Sequence, residues 1–144
     1  VMELMQLRLV VLSRKAVLLR RGSLSPWEQV RAVKPSDVVL VCELPSYAVE
    51  VTESVELAHK NGAKVVTITD SAAAPVCRSA DLSFFVSANS PTFGSSTIGP
   101  IFLVHVLSSA LALALGNEAK KSFDEQAQFL HDERIFHPIF GLKY

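Results

Sequence analysis

The chain reads as an α/β protein, a three-layer αβα sandwich around an open parallel sheet. Three observations predict this. Two apolar, β-branched runs, Asp37–Leu44 (DVVLVCEL) and Lys64–Thr69 (KVVTIT), have the look of strands buried on both faces, as in parallel sheets. A helix-length segment separates them and ends at Asn61-Gly62, a standard helix stop. A third run, Leu82–Val86, follows after a short helical turn, so strands and helices alternate in the rhythm of βαβ units.

Taken in chain order, Val1–Leu12 carries Leu4, Leu7, Val11 and Met5, Leu9, Leu12 at helical spacings and predicts a helix. Ala16–Leu19 is a short apolar run that predicts a strand, broken by Gly22. Ser25-Pro26-Trp27-Glu28 is a capping box with proline at the first helical position, so a short helix starts there and stops before Lys34-Pro35. After the first long strand, Pro45-Ser46-Tyr47 turns the chain into a helix that reaches about Lys60. Val51, Val55 and Ala58 share its inner face, and Glu50, Glu53 and Glu56 lie mostly on a solvated one. Asp70-Ser71 ends the second strand, and Ala73–Ser79 reads as a helical turn. A loop, Asn89–Gly94, leads to an apolar helix ending at Gly116-Asn117. Glu118–Glu133 reads as a polar amphipathic helix with Phe123, Ala127 and Leu130 at core spacing, and the aromatic composition of residues 134–144 predicts a packing tail.

Composition narrows the function. The chain has 144 residues, 49% hydrophobic, with 14 Lys+Arg against 14 Asp+Glu and a mean hydropathy of +0.32. That suits one domain, residues 1–144, with 117–144 as a C-terminal helix and tail. Zero formal net charge argues against a freestanding nucleic-acid binder, which would normally show a basic excess. Residues 1–34 are mildly basic, without any run of basic residues longer than two. Cys42 and Cys77 are isolated and read as small core residues of a cytoplasmic protein, with no metal site and no cofactor implied. The 18 uncharged residues Ile98–Leu115 approach membrane-span length. Gly99, Pro100, His105, Ser108 and Ser109 within them, and the lack of a basic flank, favour a buried or interface helix over a membrane one. No signal peptide opens the chain, because Glu3, Arg8 and Arg14 interrupt its apolar residues.

Ligands of open parallel sheets bind beyond the carboxyl ends of the strands. That points to the loops Glu43–Ala48, Thr69–Ala74 and Ser87–Ser96. Within them Glu43, Ser46, Tyr47, Thr69, Ser71, Ser95 and Ser96 are the candidate ligand-binding residues. Each also has a structural reading: helix capping for Ser46, Ser95 and Ser96, packing for Tyr47, a solvent-facing sheet rim for Glu43, and a turn cap for Asp70, the neighbour of Thr69 and Ser71. His105 reads as a core or interface histidine, since its helix supplies no carboxylate to act with it. His59 lies at a solvated helix end. His131 and His137 are not at the i, i+4 spacing of two ligands on one helix face. No catalytic residue is assigned.

The segments "AHKNGAKVVTITDS" and "AAPVCRSADLSFFV" carry a resemblance: a helix ending in Gly-Ala, a strand ending in Thr-Asp, and a Pro turn followed by Ala-Asp before the next strand. The chain resembles the SIS (sugar isomerase) domain, of flavodoxin-like architecture, most specifically over residues 36–86 and in order and length from about 1 to 116. "ELPSYAVEV" looks closer to the SIS domains of RpiR-type bacterial transcriptional regulators, one subgroup of which has Pro-Arg-Tyr where this chain has Pro45-Ser46-Tyr47. Two departures stand out. The phosphosugar turn Ser-x-Ser-Gly-x-Thr falls on Glu43, Leu44, Pro45, Ser46, Tyr47 and Ala48, replacing the hydroxyls expected at 43, 45 and 48. The family's first strand, with its Gly/Ser loop, would precede the first helix, and the regulators' helix-turn-helix domain would lie further upstream; neither is in this chain.

The resemblance implies a non-catalytic effector-sensing and dimerisation domain of an RpiR-like regulator. It would bind a small metabolite such as a sugar phosphate near Ser46 and Ser95. Dimers or tetramers would form through the 97–115 helix, and DNA would be bound only through a domain not in this chain, with no membrane partner. The alternatives are an SIS-type phosphosugar isomerase, which needs a general base and a phosphate cradle, and a structural oligomerisation module with a decayed pocket.

Overall fold

The computed structural model describes residues 1–20, 22–133 and 135. Most of the aromatic tail, and His137 with it, lies outside the described residues. Among those residues the order is α1 (Met2–Val11), α2 (Pro26–Val30), β1 (Val38–Cys42), α3 (Val49–Lys60), β2 (Lys64–Thr69), a 3₁₀ turn (Pro75–Ser79), β3 (Leu82–Phe85), α4 (Ile98–Leu115) and α5 (Asn117–Asp132). The three strands form one sheet in the order β1-β2-β3, all parallel. Val38 sits opposite Lys64 and Cys42 opposite Ile68; Val66 sits opposite Leu82 and Thr69 opposite Phe85.

Period-2 alternation divides the sheet's side chains between two cores. Val39, Val41 and Val65 face α2 and α3, where they pack with Val30, Val55, Ala58 and Val76. Leu40, Cys42 and Ile68 face α1 and α4, where they meet Met5 and Val104. Helices therefore cover both faces, which makes the three layers. Val65 and Ile68 on the central strand are fully buried. Burial of that kind contributes about 1.5–3 kcal/mol for each aliphatic side chain.

Local chemistry sets the joints. The capping box at α2 is formed: Ser25 Oγ accepts from Glu28 N, and Glu28 Oε2 accepts from Ser25 N at 2.9 Å. Asp81 fastens β3 to β2. Its Oδ2 accepts from Val65 N at 2.8 Å, its own amide donates to Val65 O at 2.8 Å, and Lys64 Nζ reaches Oδ1 at 2.9 Å. The backbone bond, then the lysine, holds the Asp81 carboxyl below the usual aspartate range. This explains why an Ala-Asp pair precedes the third strand. Gly99 seats α4, because a Cβ there would stand 3.0 Å from Ser87 O and 3.2 Å from Val86 Cβ.

Three expectations need correction. Ala16–Leu19 is not a strand. A strand exists only beside a partner, and here side-chain amides take the backbone carbonyls instead: Gln6 Nε2 donates to Ala16 O and Gln29 Nε2 to Arg20 O. β1 is not buried on both faces. Among the described residues it pairs on one side only, Val38 is exposed and the remainder is half-buried. On α5 the buried residues are Ala119 and Ser122, near its start, while Phe123 and Ala127 are exposed and Leu130 is half-buried. α4, expected to be a buried or interface helix, is buried at Pro100, Val104 and Ser108, along one narrow side among the described residues.

Candidate functional site

Because the strands are parallel and adjacent, the residues that leave β1 and β2 emerge side by side at one edge. Glu43 follows Cys42, and its amide still donates to Ile68 O at 3.0 Å, extending the ladder by one rung. Asp70 follows Thr69, whose carbonyl accepts from Val86 N at 2.9 Å. The carboxyl ends of all three strands thus line one rim.

Glu43 is buried, with 7% of its surface exposed, rather than facing solvent. Oε1 accepts from Ala48 N at 2.7 Å, at the start of α3. Oε2 is buried without a hydrogen-bond partner. An unsatisfied buried acceptor costs on the order of 1–3 kcal/mol. Burial raises the Glu43 pKa above the ordinary 4.5, and the bond from Ala48 N opposes that rise. Beside it, burial also raises the Cys42 thiol.

Tyr47 packs against the α2–α3 core and sends its phenol across the rim, where Oη donates to Asp70 Oδ1 at 2.6 Å. That bond, with burial and the fields of Asp70, Glu43 and Cys77, pushes the phenol up to about 12. Thr69 is fully buried, and its hydroxyl donates to the same Asp70 oxygen at 3.3 Å. Glu43, Tyr47, Thr69 and Asp70 therefore form one group. Asp70 is the member outside the candidate set, readable from the sequence equally as a ligand contact or a turn cap. The signal was available: the first residue after each of two paired parallel strands must lie on the same edge.

The remaining candidates sit around this group. Ser46 is exposed and adopts φ +96°, a left-handed conformation that favours glycine. It does not cap α3, whose N-cap is Ala48. Ser71 Oγ accepts from Ala73 N at 3.2 Å, bracing the loop before the 3₁₀ turn. Ser95 and Ser96 lie in the loop before α4. Ser96 N donates to Ala88 O at 2.9 Å, and Ser96 Oγ stands 3.4 Å from Ile98 N, but Thr97 is the N-cap.

His105 is exposed on α4 rather than in the core, with Nδ1 2.7 Å from Arg8 Nη2 on α1. His59 stands 3.9 Å from Asp81 Oδ2 at the opposite edge of the sheet. Two shallow clefts lie away from the rim. One lies between α1, α4 and α5 and includes Arg8, Ser108 and Phe123; the other lies beside α2 and α3 and includes Trp27, Glu53 and Lys60. No cluster of three or more His, Cys, Asp or Glu is arranged as a metal site among the described residues.

The SIS domain family matches residues 11–115. Solved structures share the fold, two of them as follows. The sugar isomerase domain of an RpiR transcription factor from Sphaerobacter thermophilus aligns with a TM-score of 0.79 at 19% identity, over 86% of this chain and 69% of that one. The Vibrio vulnificus NanR protein, complexed with ManNAc-6P, aligns with a TM-score of 0.78 at 22% identity, over 90% of this chain and 50% of that one. This chain thus spans half the length of NanR. No curated protein sequence matches it.

Proposed function

The chain belongs to the SIS domain family, and from that premise we propose that it is the effector-sensing and dimerisation domain of an RpiR-like transcriptional regulator. The observation that carries the reading is the rim. The parallel sheet gathers Glu43, Tyr47 and Asp70 at the carboxyl ends of β1 and β2, where ligands of such sheets bind, in a fold shared with a transcription factor's sugar isomerase domain. The NanR protein, of the same fold, is complexed with a sugar phosphate. A small metabolite such as a sugar phosphate is the effector in this reading, held between the Ser46 turn and the Ser95–Ser96 loop. Thr69 and Ser71 support the rim from behind.

Binding acts on a dimer. Ile98, Phe102, Val106 and Leu113 form an exposed row along α4 at spacings of four, four and seven residues. An apolar row of that length needs a cover. By length and composition α4 could also cross a bilayer. The family match, however, runs through Leu115, so this helix is part of the domain, and a second copy is the cover that suits it. Ligand-dependent changes in that pairing would move DNA-binding domains outside this chain, in the cytoplasm. Such coupling requires different effector affinity in the two arrangements.

Thermal-shift measurements with ManNAc-6P and a panel of hexose phosphates, followed by NMR assay for turnover, test this. Stabilisation without turnover is expected. Interconversion of an aldose and a ketose phosphate would establish the isomerase instead.

A further inference from the structure

Glu43 leaves a chemical requirement unmet at the rim. One carboxylate oxygen takes the Ala48 amide at the start of α3, and the other is buried with no donor. Among the described residues, neither Glu43 nor Asp70 has a lysine or arginine within ion-pair distance. The Tyr47 and Thr69 donors both reach Asp70 Oδ1, and Glu43 Oε2 is the buried acceptor of the group without a donor among the described residues. Resting on the effector reading above, we infer that Glu43 determines specificity at this rim: the effector presents a hydroxyl or ammonium donor to Glu43 Oε2, and its phosphate, where it has one, binds away from the start of α3.

The argument is electrostatic. A helix start attracts anions through its free amides and dipole. Here the chain supplies its own anion, and a phosphate brought beside it would meet a like charge in a site where water screens poorly. A buried carboxylate oxygen is best matched by a charged or hydroxyl donor. Pro45 and Ser46, in the turn between Glu43 and Ala48, are exposed.

The test uses the full chain with inorganic phosphate, glucose, glucosamine and glucosamine 6-phosphate, read by thermal shift and calorimetry. Inorganic phosphate is expected to leave the wild type unchanged and to stabilise Glu43→Ser, which removes the charge and frees the Ala48 amide. Any sugar that binds the wild type is expected to bind Glu43→Gln about tenfold more weakly or worse, because the amide places a donor where Oε2 accepted. Should Glu43→Ser fail to fold, the near-isosteric Glu43→Gln carries the test alone. Phosphate protection of the wild type, or undiminished sugar binding by Glu43→Gln, overturns the assignment and leaves the effector reading standing. Silence of the wild type and both variants toward every sugar overturns the effector reading as well.

Discussion

The Tyr47 phenol donates to Asp70 Oδ1 at 2.6 Å, joining the turn after β1 to the residue after β2. This bond ties the entrance of α3 to the central strand and raises the phenol to about 12. The stability it contributes is fully present below the ordinary tyrosine value of 10.0 and is lost as pH rises through about 12. In an ultraviolet titration, one of the two tyrosines should ionise far above the ordinary range. Tyr47→Phe should remove that step, and Asp70→Asn should bring it back toward 10.0. An unshifted titration in Asp70→Asn would count against the bond.

Glu43 has the opposite consequence for neutral conditions. Its folded pKa lies above the ordinary 4.5, so its favourable contribution is complete below 4.5 and is lost as pH rises through the raised value. Denaturation midpoints of the wild type and Glu43→Gln, compared across that window, should diverge. The wild type should gain on the variant as the medium is acidified and lose ground toward neutrality. A difference independent of pH would show that Glu43 is not desolvated in solution.

Ser46 carries strain that glycine would relieve. Left-handed backbone costs an L-residue about 1–2 kcal/mol, and glycine returns about 0.4–1 kcal/mol of that through its greater freedom in the unfolded chain. Ser46→Gly should therefore stabilise the protein by about 0.5–1 kcal/mol. Ser46→Val should destabilise it, since a β-branched residue tolerates φ +96° least. Chemical denaturation of both variants checks the signs.

Asp81 should show a pH dependence opposite to that of Glu43. Its pKa is held below 3.8 by the Val65 amide and then Lys64, so its contribution is present above 3.8 and vanishes as pH falls through the lowered value. Asp81→Ala should lower the melting temperature at neutral pH, and the deficit should close in acid. A deficit that persists in acid would point to packing instead of the carboxylate.

The exposed row on α4 predicts the assembly state. Light scattering should show the wild-type chain as a dimer or tetramer, and Phe102→Glu should yield monomers with unchanged circular dichroism. Phe102 is 67% exposed in the single chain, so a charge there harms only a contact between copies. A monomeric wild type would remove the dimerisation reading.

Much of this was legible in residue order. The runs at Val38–Cys42, Lys64–Thr69 and Leu82–Phe85, with stops at Asn61-Gly62 and at Asp70-Ser71, identify three parallel strands and place their exit loops on one edge. Ser25 and Glu28 announce their capping box by spacing alone. These features are local: they depend on periodicity, glycine and capping chemistry, which a linear chain displays. The turn Glu43–Ala48 was likewise recognisable as lacking all three hydroxyls of a phosphosugar turn at 43, 45 and 48.

What partners each side chain was decided only in three dimensions. Ala16–Leu19 has strand composition but lies beside no strand, and Phe123 and Ala127 have core spacing on a helix buried only at its start. Residues 47 and 70 meet because parallel pairing puts two chain exits next to each other, while residues 43 and 48 meet across a single turn; no property of Tyr47 or Asp70 alone fixes the first contact. The sequence by itself determined the class of fold and which edge carries the site. Tertiary structure decided the site's charge, because burial and hydrogen-bond partners, which set a carboxyl group's state, are properties of packing.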